Sequence, residues 1–205
     1  RKAIDFTLER IRKSYPAVKC YGISQSDSFG NCTCAKCKAV DEREGSPSGT
    51  IIEFVNRIAE AVEKEYPDVI IETLAYLYSR AAPKTLKCRD NVMVLLCTDT
   101  CDLSVPHETN RFCWRNLPPL RDDLARWQRI CKHIYVWEYT LNFCWLWHAF
   151  PSLQVLKPNY EFFADKGVTH IYLEGGHHGR HSESSEIKLW IAAHLMWDPY
   201  QPVEP

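Results

Sequence analysis

The run Val92-Met93-Val94-Leu95-Leu96-Cys97 decides the fold class. Six consecutive apolar residues cannot alternate between core and water, so this strand must be covered on both faces. Such coverage is the rule in parallel sheets flanked by helices. Working outward, residues 69–76 read as a strand before it. Upstream, Ile51, Phe54, Val55, Ile58 and Val62 recur at helical spacing, with Thr50 and Glu53 in a capping-box pattern. Residues 18–24 read as a first strand running into a polar, Cys-rich loop, and residues 2–15 as an amphipathic helix stopped by Pro16. Downstream, Pro118 and Pro119 open a helix, 133–139 is a fourth strand, and 153–166 is a helix stopped by Gly167 at the C′ position. Residues 168–174 form a fifth strand, residues 183–197 a last helix, and 198–205 a Pro-containing exit segment.

This alternation predicts an α/β fold of parallel βα units, because parallel strands need crossover connections. No glycine-rich phosphate loop follows the first strand, which argues against a nucleotide-binding sheet. A complete (β/α)₈ barrel takes about 250 residues. The chain has 205 and five strands. The expectation is therefore a partial barrel over residues 1–197, its C-terminal five strands, with the N-terminal remainder of the barrel as the implied partner; a complete five-stranded domain is the alternative.

Composition narrows the function. Hydrophobic residues at 45% and charged residues at 25% fit a globular chain, and a net charge of -1 supplies no one-signed field for nucleic acid. No apolar run is long enough to span a bilayer. Aromatics reach 12%, with seven Trp and ten Tyr.

In either architecture the functional site lies beyond the carboxyl ends of the strands. Those ends carry Gln25 and Asp27, Glu72 and Tyr76, Asp99, Trp137-Glu138-Tyr139, and Glu174 followed by His177 and His178. Carboxylates beside aromatic rings suit sugar chemistry: one carboxyl protonates the leaving oxygen, a second activates water or acts as nucleophile, and rings stack on pyranose faces. The expected catalytic set is Asp27, Glu138 and Glu174. Gln25, Glu72, Tyr76, Trp137, Tyr139 and His177 are the expected substrate contacts. Parity sends His170, Tyr172 and Glu174 to one face, with Ile171 and Leu173 on the helix-packed face. In the fourth strand the same rule sends Trp137 inward. Glu138 reaches the site only if the chain turns at the strand end. Each carboxylate can equally be a helix cap or a surface charge, so the reading rests on their convergence.

Cys32, Cys34 and Cys37 form C-x-C-x-x-C directly after Asp27. Three thiols in six residues have metal-ligand spacing, and Zn²⁺ would need a fourth ligand. Cys20, Cys101, Cys113, Cys144 or a loop histidine can supply it. Such an ion would be structural, since the chemistry requires no cofactor. Disulfides, for instance to Cys101 or Cys113, and reduced thiols are the alternatives. His177, His178 and His181 share a loop with Arg180 but match no standard metal motif. They read as a polar rim.

The order Ser24-Gln25-Ser26-Asp27, Cys32-x-Cys34-x-x-Cys37, Phe54–Ala59, Glu72–Tyr76, Trp137-Glu138-Tyr139, Gly167-Val168, Glu174-Gly175 and Leu195–Pro199 resembles the bacterial family called domain of unknown function 4838. The resemblance spans nearly the whole chain. That family is similar to barrel glycoside hydrolases, one branch being glycoside hydrolase family 163, which are endo-β-N-acetylglucosaminidases acting on N-glycans. The resemblance implies the C-terminal part of a catalytic barrel, a glycan or polysaccharide substrate, and a secreted, periplasmic or cell-surface bacterial protein. It leads us to expect Asn where Ser26 stands, which would remove an amide contact beside Asp27. Two rival readings remain: a sugar-binding domain without turnover, and a zinc-stapled interaction domain.

Overall fold

The computed structural model describes residues 1–113, 117–141, 150, 152–175 and 184–202. Its fold is α/β, with five parallel strands alternating with helices. The chain divides into two compact units, residues 1–96 with 123–134, and residues 97–122 with 135–205. Among the described residues, no helix is long and apolar enough to cross a membrane.

The first unit opens with α1 (Lys2–Ser14), then β1 (Cys20–Gly22), α2 (Ala35–Glu44), α3 (Ser48–Glu65), β2 (Ile70–Ala75) and β3 (Val92–Cys97). β1 pairs parallel with β2 through Cys20↔Ile70 and Gly22↔Glu72, and β2 pairs parallel with β3 through Ile71↔Val92 to Ala75↔Leu96. The stripes predicted for α1 and α3 meet in one core, where Leu8 and Ile11 join Val55, Ile58, Ala59 and Val62 over Tyr21, Ile71 and Val92. Burying each large apolar side chain there contributes about 1.5–3 kcal/mol. All six residues of β3 are buried, as their unbroken apolarity requires.

Two local expectations are corrected. The Cys-rich segment is not all loop: residues 35–44 form α2, which ends on Gly45 at φ +71°. Its residues are good helix formers without an apolar stripe, so periodicity could not reveal it. The capping box at Thr50 does not form, because α3 begins at Ser48. Thr50 Oγ1–H donates instead to Asp41 Oδ1 on α2 at 2.6 Å.

α4 (Leu120–Ile130) leads into β4 (His133–Tyr139), followed by α5 (Leu153–Asp165), β5 (Ile171–Glu174) and α6 (Ser185–Trp197). In the second unit β4 and β5 pair parallel, with Trp137↔Tyr172, Glu138↔Leu173 and Tyr139↔Glu174 in register. Ile171 and Leu173 pack on Leu156 and Tyr160 of α5 and on Ala192 and Leu195 of α6, the face that parity predicts. Gly167 closes α5 at φ +73°, the left-handed C′ conformation expected of it.

Candidate functional site

Parallel register puts partnered residues of β4 and β5 on the same face. Trp137 and Tyr139 therefore share a face with Tyr172 and Glu174. The rings confirm it: Trp137 stacks on Tyr139 with centroids 6.0 Å apart and planes 6° apart, and meets Tyr172 edge-on at 4.7 Å. Tyr135 and His170 continue this face as a second stack, 4.0 Å between centroids. Trp137 Nε1–H donates to Glu174 Oε2 at 3.0 Å. A carboxylate at the carboxyl end of β5 is thus fixed by an indole on a floor of aromatic rings. Tyr172 is 56% exposed, Trp137 half-buried and Tyr139 buried, so this face opens to solvent at the Tyr172 side. Gly175 lets the chain leave β5 closely: a Cβ there would lie 2.9 Å from Thr140 Oγ1.

Glu138 does not join this face. β4 runs regularly through Tyr139, so Glu138 keeps the parity of Ile134 and Val136 and points opposite to Glu174. It is 2% exposed. Its carboxylate accepts Thr98 Oγ1–H at 2.8 Å, His107 Nε2–H at 3.0 Å to both oxygens, and Asn159 Nδ2–H from α5 at 3.2 Å. Asn159 also receives the His107 backbone N–H on its Oδ1 at 2.8 Å, pinning the loop that delivers the imidazole. Buried charge demands such partners. Glu138, expected at the substrate, is therefore the hub of a buried polar network on the face opposite Glu174. Burial, and then Glu138, push the buried Tyr160 phenol above its ordinary range. Sequence reading missed His107: a lone histidine in a loop after Pro106 lies outside every periodic signal.

The first unit carries its own strand-end cluster. Tyr76 O–H donates to Asp27 Oδ1 at 2.8 Å. Gln25 Nε2–H donates to the Tyr76 carbonyl at 2.9 Å, and its Oε1 accepts Ser79 Oγ–H. Gln25, Asp27 and Tyr76 are thus brought together, Asp27 exposed at the rim. Glu72 is in register with Gly22 of β1, where a Cβ would make only an ordinary contact with the carboxylate, 3.7 Å from Oε1. Burial raises the Glu72 pKa. Ser26, where the resemblance leads to an expected Asn, meets the Ser28 hydroxyl with its own at 3.2 Å and accepts the Ser28 N–H on its carbonyl at 2.8 Å.

Cys32, Cys34 and Cys37 have their sulfurs within 4.8 Å of one another, at the start of α2. The Cys37 backbone N–H, then the Cys37 and Cys32 thiols, hold the Cys34 thiol down at about 7. Hydrogen bonds with Cys34 and Cys32, then burial, push Cys37 up to about 11. Cys101 and Cys113, offered as ligands or disulfide partners, have their sulfurs 3.5 Å apart. Cys131 donates to the His133 carbonyl at 3.3 Å within the first unit's core. His177, His178, His181 and Cys144 lie outside the described residues.

A family model supplies the decision on kinship, matching residues 1–205. The chain belongs to the family Domain of unknown function (DUF4838). Among curated proteins no match is found. Membership in DUF4838 agrees with the resemblance carried by the Cys-rich signature and the strand-end motifs. The family description names no activity, so the chemistry of this DUF4838 chain must be argued from its own side chains.

Proposed function

We propose that this chain is part of a glycoside hydrolase, with Glu174 as its acid/base carboxyl. The observation that supports this best is Glu174 at the end of β5, held by the Trp137 indole on the face shared by Trp137, Tyr139 and Tyr172. Flat rings of this kind can stack on the apolar faces of a sugar. A proton on Glu174 passes to the glycosidic oxygen as the C–O bond breaks. Water then adds at the anomeric carbon and returns a proton to the carboxylate. A second carboxyl completes the pair that such chemistry uses. On a glycan containing N-acetylglucosamine, the substrate's own amide oxygen can make the first attack, and the second carboxyl need only polarise it. The resemblance to N-glycan-cleaving barrels favours that substrate class, export from a bacterium, and a barrel of which these strands are the C-terminal five. Glu138 is given no contact with substrate; it secures the strand that presents Trp137 and Tyr139.

The test is turnover of a glycan panel by the full-length enzyme. Glu174→Gln should lower the rate about 10²–10⁴-fold while sugar binding persists. An undiminished rate in Glu174→Gln would remove the proposal. One observation favours a second reading, sugar binding without turnover: among the described β4 and β5 residues, Glu174 is the single carboxylate on the aromatic face. That reading expects affinity for the same sugars, lost on Trp137→Ala, and no products.

A further inference from the structure

We propose that Cys32, Cys34 and Cys37 bind one zinc ion through three thiolates and a solvent ligand, and that this ion fixes the loop bearing Asp27. The three sulfurs already lie within 4.8 Å of one another. Tetrahedral zinc with bonds of about 2.3 Å needs sulfurs about 3.8 Å apart, so small side-chain rotations complete the site. Backbone placement supports it. Cys34 is the N-cap of α2 and Cys37 lies in its first turn, so the helix presents unpaired N–H groups and the positive end of its dipole to the thiolates. Zinc with three thiolates carries a net negative charge, which that end stabilises. Cys32 and Cys34 are exposed and Cys37 is half-buried, so the ion can enter from solvent.

Among the described residues, the cluster has three members, with no further Cys, His, Asp or Glu in it. Three protein ligands leave one coordination position for water. A disulfide would use two of the sulfurs and strand the third, whereas one soft ion uses all three. The consequence is local order. Asn31 Nδ2–H donates to Asp41 Oδ2 at 3.0 Å, and Thr50 Oγ1–H donates to Asp41 Oδ1 at 2.6 Å. The loop end is thereby tied to α2 and α3. The Cys32 bond to the ion would complete this tether five residues after Asp27. This inference does not depend on glycosidase activity.

The experiment is titration of the reduced full-length protein with Co²⁺, followed by displacement with Zn²⁺. The expected result is a thiolate-to-cobalt charge-transfer band saturating at one ion per chain, abolished by Zn²⁺, with Cys32, Cys34 and Cys37 protected from alkylation in the zinc-loaded protein. Cys32→Ser, Cys34→Ser and Cys37→Ser should each weaken binding by more than about 100-fold, beyond the loss expected from removing only an outer partner of a ligand. Cys20→Ser should leave binding unchanged. Zinc should also slow hydrogen exchange across residues 24–34. Absence of the charge-transfer band with the thiols reduced, or alkylation of all three thiols at the same rate with and without zinc, overturns the proposal whatever the serine variants do.

Discussion

Replacing Glu138 by alanine should damage the fold before it touches any chemistry. The carboxylate is 2% exposed and takes hydrogen bonds from Thr98, His107 and Asn159. Removing it leaves buried donors without an acceptor and opens a void where the side chain stood. Truncating one member of a buried, charge-assisted network costs about 3–5 kcal/mol. At about 2–4 °C per kcal/mol for a chain of this length, the midpoint should fall by about 6–20 °C. Glu138→Gln keeps the volume but replaces one acceptor oxygen with an NH₂ donor, which then faces donors from the same neighbours. It should cost less, about 1–3 kcal/mol. Thr98→Val removes a single donor and should cost about 1.5–3 kcal/mol, and much less in the Glu138→Ala background, because the pair is coupled. The assay is thermal unfolding followed by circular dichroism, with hydrogen exchange across β4 and α5. A Glu138→Ala midpoint within about 2 °C of the parent would refute the reasoning. So would a Glu138→Gln protein with parental stability and sugar affinity but no turnover, since that pattern marks a group that meets the substrate.

Three further outcomes follow from the same kind of accounting. Arg80 and Asp123 form a fully buried ion pair at 3.0 Å, so Asp123→Ala should cost about 3–5 kcal/mol in urea unfolding and release the Arg80 segment, whose carbonyl anchors Trp127 Nε1–H at 2.7 Å. Burial works to raise the Glu44 pKa, but Arg43, then the Thr85 N–H and hydroxyl and the Leu86 N–H, hold it down at about 2. Its folded pKa is below its unfolded value, so the stabilisation, up to about 3 kcal/mol, is complete above pH ~4.3 and is lost as pH falls toward 2. A Glu44→Gln variant should show a flatter stability profile across that window, and an unchanged slope would count against the assignment. At Gly175, an alanine Cβ would sit 2.9 Å from Thr140 Oγ1 and 3.0 Å from Leu189 Cδ2. Gly175→Ala should therefore lower stability by about 1–3 kcal/mol, read as a shift in the denaturation midpoint.

The α/β class, the five strands and most helices were readable because their signals are local. Val92–Cys97 is apolar throughout, α1 and α3 repeat their apolar residues at helical spacing, and Gly167 stands where a left-handed residue is needed. Parity alone placed Glu174, Tyr172 and Trp137 on one face, since each strand alternates strictly and Ile171 and Leu173 had to meet the helices. Sequence put Asp27 and Tyr76 near the ends of the first two strands; that they hydrogen-bond, at 2.8 Å, is seen only in the structure.

Tertiary structure decided the rest, and Glu138 shows why. By sequence it was a carboxylate at a strand end between two aromatic residues, able to reach the site only if the chain turned there. Its role depends on Thr98, His107 and Asn159, residues from three separate segments that no periodicity connects to it. Composition and spacing determine which face a strand side chain takes; only the packed chain determines whether that face offers water and substrate or buried hydrogen-bond donors, because burial and pairing are properties of what arrives from far along the sequence.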